Sequence, residues 1–186
     1  MTYYAFIQED KINGKGECPC TSEGVVSFEI DELVYNNLDH YIWNGEDVVL
    51  NPNYDAEQLE LAKQAKYQEA NLKAFEYLES GEAVFTYEEG KSIEATDGNI
   101  AKLGLALVNF ILQQDYTSTI EWNTKENENV QLNAEQLQVI VAGLQAIQAE
   151  VWTVKFPAYN TAISEAETIE EVNAIVIDYR KIEGQE

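Results

Sequence analysis

Ala83-Val-Phe-Thr-Tyr87, Glu88-Glu-Gly90, Lys91-Ser-Ile-Glu-Ala95, Thr96-Asp-Gly-Asn99 and Ile100-Ala-Lys-Leu-Gly-Leu-Ala-Leu-Val-Asn-Phe-Ile-Leu112 are the consecutive segments on which the fold turns. The two short alternating runs joined by Glu88-Glu-Gly90 predict a β-hairpin. Thr96 to Asn99 supplies cap and turn residues, so a helix follows. That helix is apolar around most of its circumference, which predicts that neighbours enclose it. Further on, Thr119-Ile-Glu-Trp122 and Val130-Gln-Leu132 flank an Asn/Glu-rich turn over Asn123 to Asn129, and Asn133-Ala-Glu-Gln136 opens a capped helix. In that helix Leu137, Ile140, Val141, Leu144, Ile147, Val151, Val154 and Ala158 keep three-and-four spacing, a seam suited to an intramolecular core or to self-association. Pro157 is expected to kink or end it. Thr168-Ile-Glu-Glu171 reads as a capping box, followed by Val172, Ile175, Val176 and Tyr179 on one helix face.

Upstream, the periods are short and the turn residues frequent. Tyr3 to Gln8 and Val25 to Ile30 read as strands, Ile12-Asn-Gly-Lys-Gly16 as a turn, and Asp31 as the cap of a short helix over Glu32 to Leu38. Asn44-Gly45 between Tyr41-Ile-Trp43 and Glu46-Asp-Val-Val-Leu50 is a strong hairpin signal. Pro52 marks a boundary. Asp55 to Glu79 then reads as one long helix, with an uneven apolar face of Leu61, Ala65, Leu72, Phe75 and Leu78 and a stop at Gly81. The expected class is α+β: a small, mostly β N-terminal module over residues 1–54, a long connecting helix, and a mainly helical domain with a hairpin, the last two together spanning 55–186.

The chain has 186 residues, 45% hydrophobic and 11% aromatic, enough to build a core despite a formal net charge of -23. With 34 acidic against 11 basic side chains, binding to nucleic acid or to an anionic membrane is not expected, since both need Lys and Arg to neutralise phosphate. The acidity fits a solvated surface or docking onto a basic partner. Cys18-Pro19-Cys20 spaces its thiols too closely for the usual cross-link between distant segments. The N-terminal residues lack a basic and apolar signal sequence, and the apolar run from Ile100 is too short to span a bilayer, so synthesis in the cytosol is expected.

No motif carries evident catalysis. His40 is the single histidine, and no Gly-x-Ser-x-Gly elbow surrounds a serine. Cys18, Cys20 and His40 fall short of the four paired ligands of a structural zinc site, and neither metal nor cofactor is expected. Gly90-Lys91-Ser92 ends like a phosphate-binding loop, but it opens a strand and has Phe85 where the first glycine belongs. Asn51, Asn53 and Asp55 begin like a calcium loop, but Ala56 and Ala62 replace its turning glycine and bidentate glutamate. What remains is aromatic: Tyr3, Tyr4, Tyr35, Tyr41, Trp43 and Tyr54 in the first module are the partner-binding candidates, weighed against core packing. Trp122 and Trp152 lie in the second part, with Trp122 expected in its core.

From about Leu59 to Arg180, the Ala- and Lys-rich helix, the aromatic hairpin, the apolar helix, Val130-Gln-Leu-Asn-Ala-Glu-Gln-Leu137 and Thr168-Ile-Glu-Glu-Val172 together resemble the domain of unknown function DUF4376. Tyr3-Tyr-Ala-Phe-Ile7, Tyr41-Ile-Trp-Asn-Gly45 and Val48-Val-Leu-Asn-Pro52 are similar to leader modules of phage tail-associated proteins. The resemblance implies a bacteriophage context near tail-fibre genes and assigns no catalytic residue. It leads to the expectation of a non-enzymatic tail, baseplate or tail-fibre-associated structural protein that mediates attachment. Its partners would be tail, baseplate or fibre proteins or a second copy of itself, and its location the host cytoplasm and then the virion. The alternative is a tail-fibre assembly chaperone that binds the fibre tip. A hydrolase acting on cell-surface glycans is a third class, resting only on the many carboxylates and on the aromatics being exposed.

Overall fold

The computed structural model describes residues 1–180 and has the expected α+β class. The chain divides into two compact units, Met1–Glu60 and Leu61 onward, so the division falls inside the long helix and past Asn51–Tyr54.

In the first unit, β1 (Tyr3–Gln8) is the central strand of an antiparallel sheet, between β2 (Lys11–Gly16) and β3 (Val26–Ile30). The segment Ile12 to Gly16, expected to turn, is therefore a strand. The chain reverses one step earlier, at Glu9 and Asp10, whose φ angles of 51° and 59° give the left-handed pair that matches strand twist in a tight hairpin. Gly14 and Gly16 stand opposite Phe6 and Tyr4, and a Cβ on Gly16 would come within 2.7 Å of the Phe6 ring. These glycines make room for an aromatic laid across the strand. Asp31 caps α1 (Glu32–Asn36) by accepting from the Val34 N–H at 2.8 Å. A 3-10 turn over Leu38–His40 leads into β4 (Tyr41–Trp43), which pairs with β5 (Val48–Leu50). Asn44 shapes this hairpin as well as starting it, because its side chain accepts from the N–H groups of Glu46 and Asp47. Ala5, Ile7 and Leu38 form the core, with Phe28, Trp43 and Val48 against it.

The long helix α2 (Tyr54–Glu79) bears out the expected span and corrects the expected face. Ala70, Ala74 and Leu78 are buried with Tyr67 and Tyr77 beside them, whereas Leu61, Ala65, Leu72 and Phe75 are exposed. Alanines occupy the inner stripe because an extended segment lies close against it: Tyr179 donates to the Ala70 carbonyl at 3.1 Å, and Lys66 and Lys73 reach the carbonyls of Ile175 and Ile177. That segment follows α6 (Ile169–Ala174), whose Thr168/Glu171 capping box forms as expected. The helix stops at Ala174, however, and beyond it the burial period becomes two, with Ile177 and Tyr179 inward and Val176 outward.

The deciding stretch folds as β6 (Val84–Glu88), β7 (Lys91–Glu94) and α3 (Asp97–Gln113), capped by Thr96. β8 (Ile120–Asn123) and β9 (Asn129–Leu132) form the second hairpin, and α4 (Ala134–Glu150) starts from an Asn133/Gln136 capping box. Pro157 does not end this helix. A π turn over Val151–Lys155, with the Phe156 N–H bonded to the Val151 carbonyl, carries the chain into α5 (Phe156–Glu165). Pro157 thus enters at the first turn of α5, where its missing N–H costs least. The combined 32-residue helix, 134–165, is long and apolar enough to cross a membrane by length and composition alone. Leu137, Ile140, Val141, Leu144 and Val151 of the heptad-like seam nonetheless line the core of this unit with Ile147 against it, whereas Val154 and Ala158 at its end are exposed. The enclosure expected of α3 does not hold: Leu103 is buried, while Leu105, Val108, Ile111 and Leu112 are exposed.

Candidate interaction surface

The six candidate aromatics of the first unit are all half-buried, and the structure sorts them into groups. β1 alternates, so Tyr3 shares a face with buried Ala5 and Ile7, while Tyr4 and Phe6 take the other. α1 brings Tyr35 onto Tyr3, with ring centroids 4.5 Å apart. Above the Tyr35 ring lies the Lys15 ammonium, 4.7 Å from the centroid, and it also donates to the Tyr35 carbonyl. A cation over a ring in this geometry contributes roughly 0.5–1 kcal/mol at an exposed site. Lys15 continues into a shallow groove of about 500 Å³, shared with Ile12, Gly14, Leu38, Asp39 and Tyr41. At Asp39 the groove meets Tyr54, whose hydroxyl donates to the carboxylate at 3.2 Å and whose ring lies 4.0 Å from that of His40.

Tyr3, Tyr35, Tyr41 and Tyr54 are therefore linked through Lys15 and Asp39. Trp43 is not part of this surface: it packs edge-on against Phe28 at 5.1 Å in the core of the unit. Tyr4 stands on the opposite sheet face, across from Gly16 and Glu29. Carboxylates border the linked aromatics. Burial and then the charges of Glu32 and Glu17 push the Tyr3 phenol above its ordinary pKa, and burial and Asp39 do the same for Tyr54. Lys15 is hidden in the sequence because Asn13, Gly14 and Gly16 make Ile12 to Gly16 resemble a turn. The alternation of Lys11, Asn13 and Lys15 along a strand was the signal that could have placed it.

Cys18 is exposed and Cys20 partly so, both unpaired, and hydrogen bonds from Ser22 hold the Cys20 thiol below its ordinary pKa. Among the described residues no three His, Cys, Asp or Glu side chains gather into a possible metal site. In the second unit Trp122 is half-buried rather than enclosed, and it borders a polar pocket of about 220 Å³ with Glu94, Asn99, Asn123, Lys125 and Asn127. No family model, curated protein or solved structure matches the chain.

Proposed function

We propose that this is a non-enzymatic attachment protein of a bacteriophage tail, baseplate or tail fibre, and that its first unit holds the partner. The observation that carries the reading is the continuous surface of Tyr3, Tyr35, Lys15 and Tyr41 reaching Tyr54 through Asp39. Half-buried tyrosines give large contact area at small entropic cost, and they anchor protein interfaces for that reason. Glu17, Glu32 and Asp39 around them select a partner surface with Lys or Arg among its apolar groups. The phage context is supported by the resemblance of Leu59 to Arg180 to DUF4376 and of the N-terminal segments to tail-associated leader modules.

Pull-down of tail, baseplate and fibre proteins encoded alongside this chain tests the reading. Tyr41→Ala and Glu17→Lys in the full chain should each reduce capture at least tenfold with unchanged helical circular dichroism. Undiminished capture by both variants would refute it. Mass spectrometry of purified virions separates a resident structural protein, present stoichiometrically, from an assembly chaperone, which is absent although fibres require it.

A further inference from the structure

α3 is a helix with two apolar faces. Ile100, Leu103, Leu107 and Phe110 turn toward the core of the second unit. On the other side Ala101, Leu105, Val108 and Leu112 follow one another at spacings of four, three and four, which is the seam of a two-helix coiled coil. Leu105 is 63% exposed, Val108 49% and Leu112 76%, with Ile111 beside them at 50%, so among the described residues of the second unit this seam has no partner. We propose that α3 pairs with α3 of a second copy, the two helices running antiparallel about a two-fold axis between Leu105 and Val108.

Three observations select a second copy as the occupant. The first is charge: α3 carries only Asp97 and Lys102, in a chain of net charge -23. A basic partner would find no carboxylate along the seam, whereas two copies can approach through it without placing acids opposite acids. The second is self-complementarity. In the antiparallel register Leu105 meets Val108 and Ala101 meets Leu112 of the other helix, and the flanking positions pair Lys102 with Asn109 and Gly104 with Ile111, so no like charges face each other. The third is area. Leu105, Val108, Leu112 and the flanking Ile111 present on the order of 400 Å² per copy, at the scale where an apolar patch marks an interaction site, and two such patches make an interface of the size of a weak, concentration-dependent dimer. The antiparallel arrangement also sets the two helix dipoles side by side in opposite directions. This inference uses no residue of the first unit and stands apart from the attachment reading.

Sedimentation velocity of the full chain at sub-millimolar concentration tests it. The parent should sediment at twice the 21.0 kDa of one chain. Leu105→Glu and Leu112→Glu, each at an exposed position, should sediment as monomers with unchanged circular dichroism. Leu33→Glu, which adds the same charge at an exposed leucine of α1, should leave the dimer intact. The proposal is overturned by a parent that stays monomeric, which would give the seam to a different occupant. It is overturned equally by a dimer that survives both α3 substitutions, or by one that Leu33→Glu also dissociates.

Discussion

Replacing Gly143 with alanine sets two opposing effects against each other, and the structure decides the sign. In a helix interior the change gains about 0.8–1.0 kcal/mol of propensity. A Cβ at this position would lie 2.3 to 2.5 Å from three atoms of the Phe85 ring, where ordinary contact begins at 3.4 Å. The ring would have to retreat by about 1 Å. Phe85 cannot do so freely, because its backbone is held in register opposite Ile93, and Ile93 is buried. Overpacking of this kind costs about 1–3 kcal/mol, so Gly143→Ala should destabilise by about 1 kcal/mol and lower Tm by about 4 °C. Urea denaturation followed by helical circular dichroism measures it. Gly104→Ala in α3, where a Cβ meets nothing within 4 Å, is the control. In a Leu105→Glu background, free of association, it should stabilise by about 1 kcal/mol. Phe85→Leu should relieve the clash and make Gly143→Ala less harmful in the double variant. If Gly143→Ala melts at or above the parent, the close approach of β6 to α4 is not as described.

Trp122→Ala should cost about 2 kcal/mol, less than the 3–5 kcal/mol of a fully buried tryptophan, because one side of the ring borders the polar pocket. A loss above 4 kcal/mol in urea melts would show that the ring is enclosed. Tyr179 is buried, and burial pushes its phenol up to about 12. Its stabilising contribution is therefore complete below the ordinary value near 10 and is lost as the pH rises from there through about 12. Tyr179→Phe should cost about 1 kcal/mol at neutral pH through the lost bond to Ala70, and should flatten the alkaline fall in Tm; an unchanged alkaline limb would refute this assignment.

The sequence was most legible where local chemistry decides alone. Thr96, Asn133 and Thr168 cap their helices as read, and Asn44 and Glu88-Glu-Gly90 sit in their hairpins, because caps and turns depend on groups a few residues apart. Legibility failed where a distant segment chose the face. In α2 the larger apolar residues suggested Leu61, Leu72 and Phe75 as the inner stripe, yet the chain from Ile175 to Tyr179 needs the smaller Ala70 and Ala74 beneath it. Hydrophobicity gave the period there, and side-chain size gave the phase. For α3 the apolar circumference predicts enclosure, although the same pattern serves a helix with one face in the core and one directed outward. Among the site candidates, Tyr3, Tyr35, Tyr41 and Tyr54 are joined by Lys15 and Asp39, while Trp43 went to the core because a unit with only Ala5, Ile7 and Leu38 at its centre needs a large ring to fill it.

The two proposed surfaces differ in chemistry, and that difference makes them separable in one preparation. The aromatic surface of the first unit has Glu17 and Glu32 beside Tyr3 and Asp39 beside Tyr54, so its hold on a basic partner draws on charges that salt screens over about 8–10 Å. Raising the ionic strength weakens that attraction. The α3 seam has no such attraction to lose. What opposes pairing there is the general repulsion between two bodies of charge -23, which the same salt removes while leaving apolar burial in place. Attachment therefore weakens and self-association strengthens along a single salt titration, and two curves that moved together would mean that one surface serves both roles.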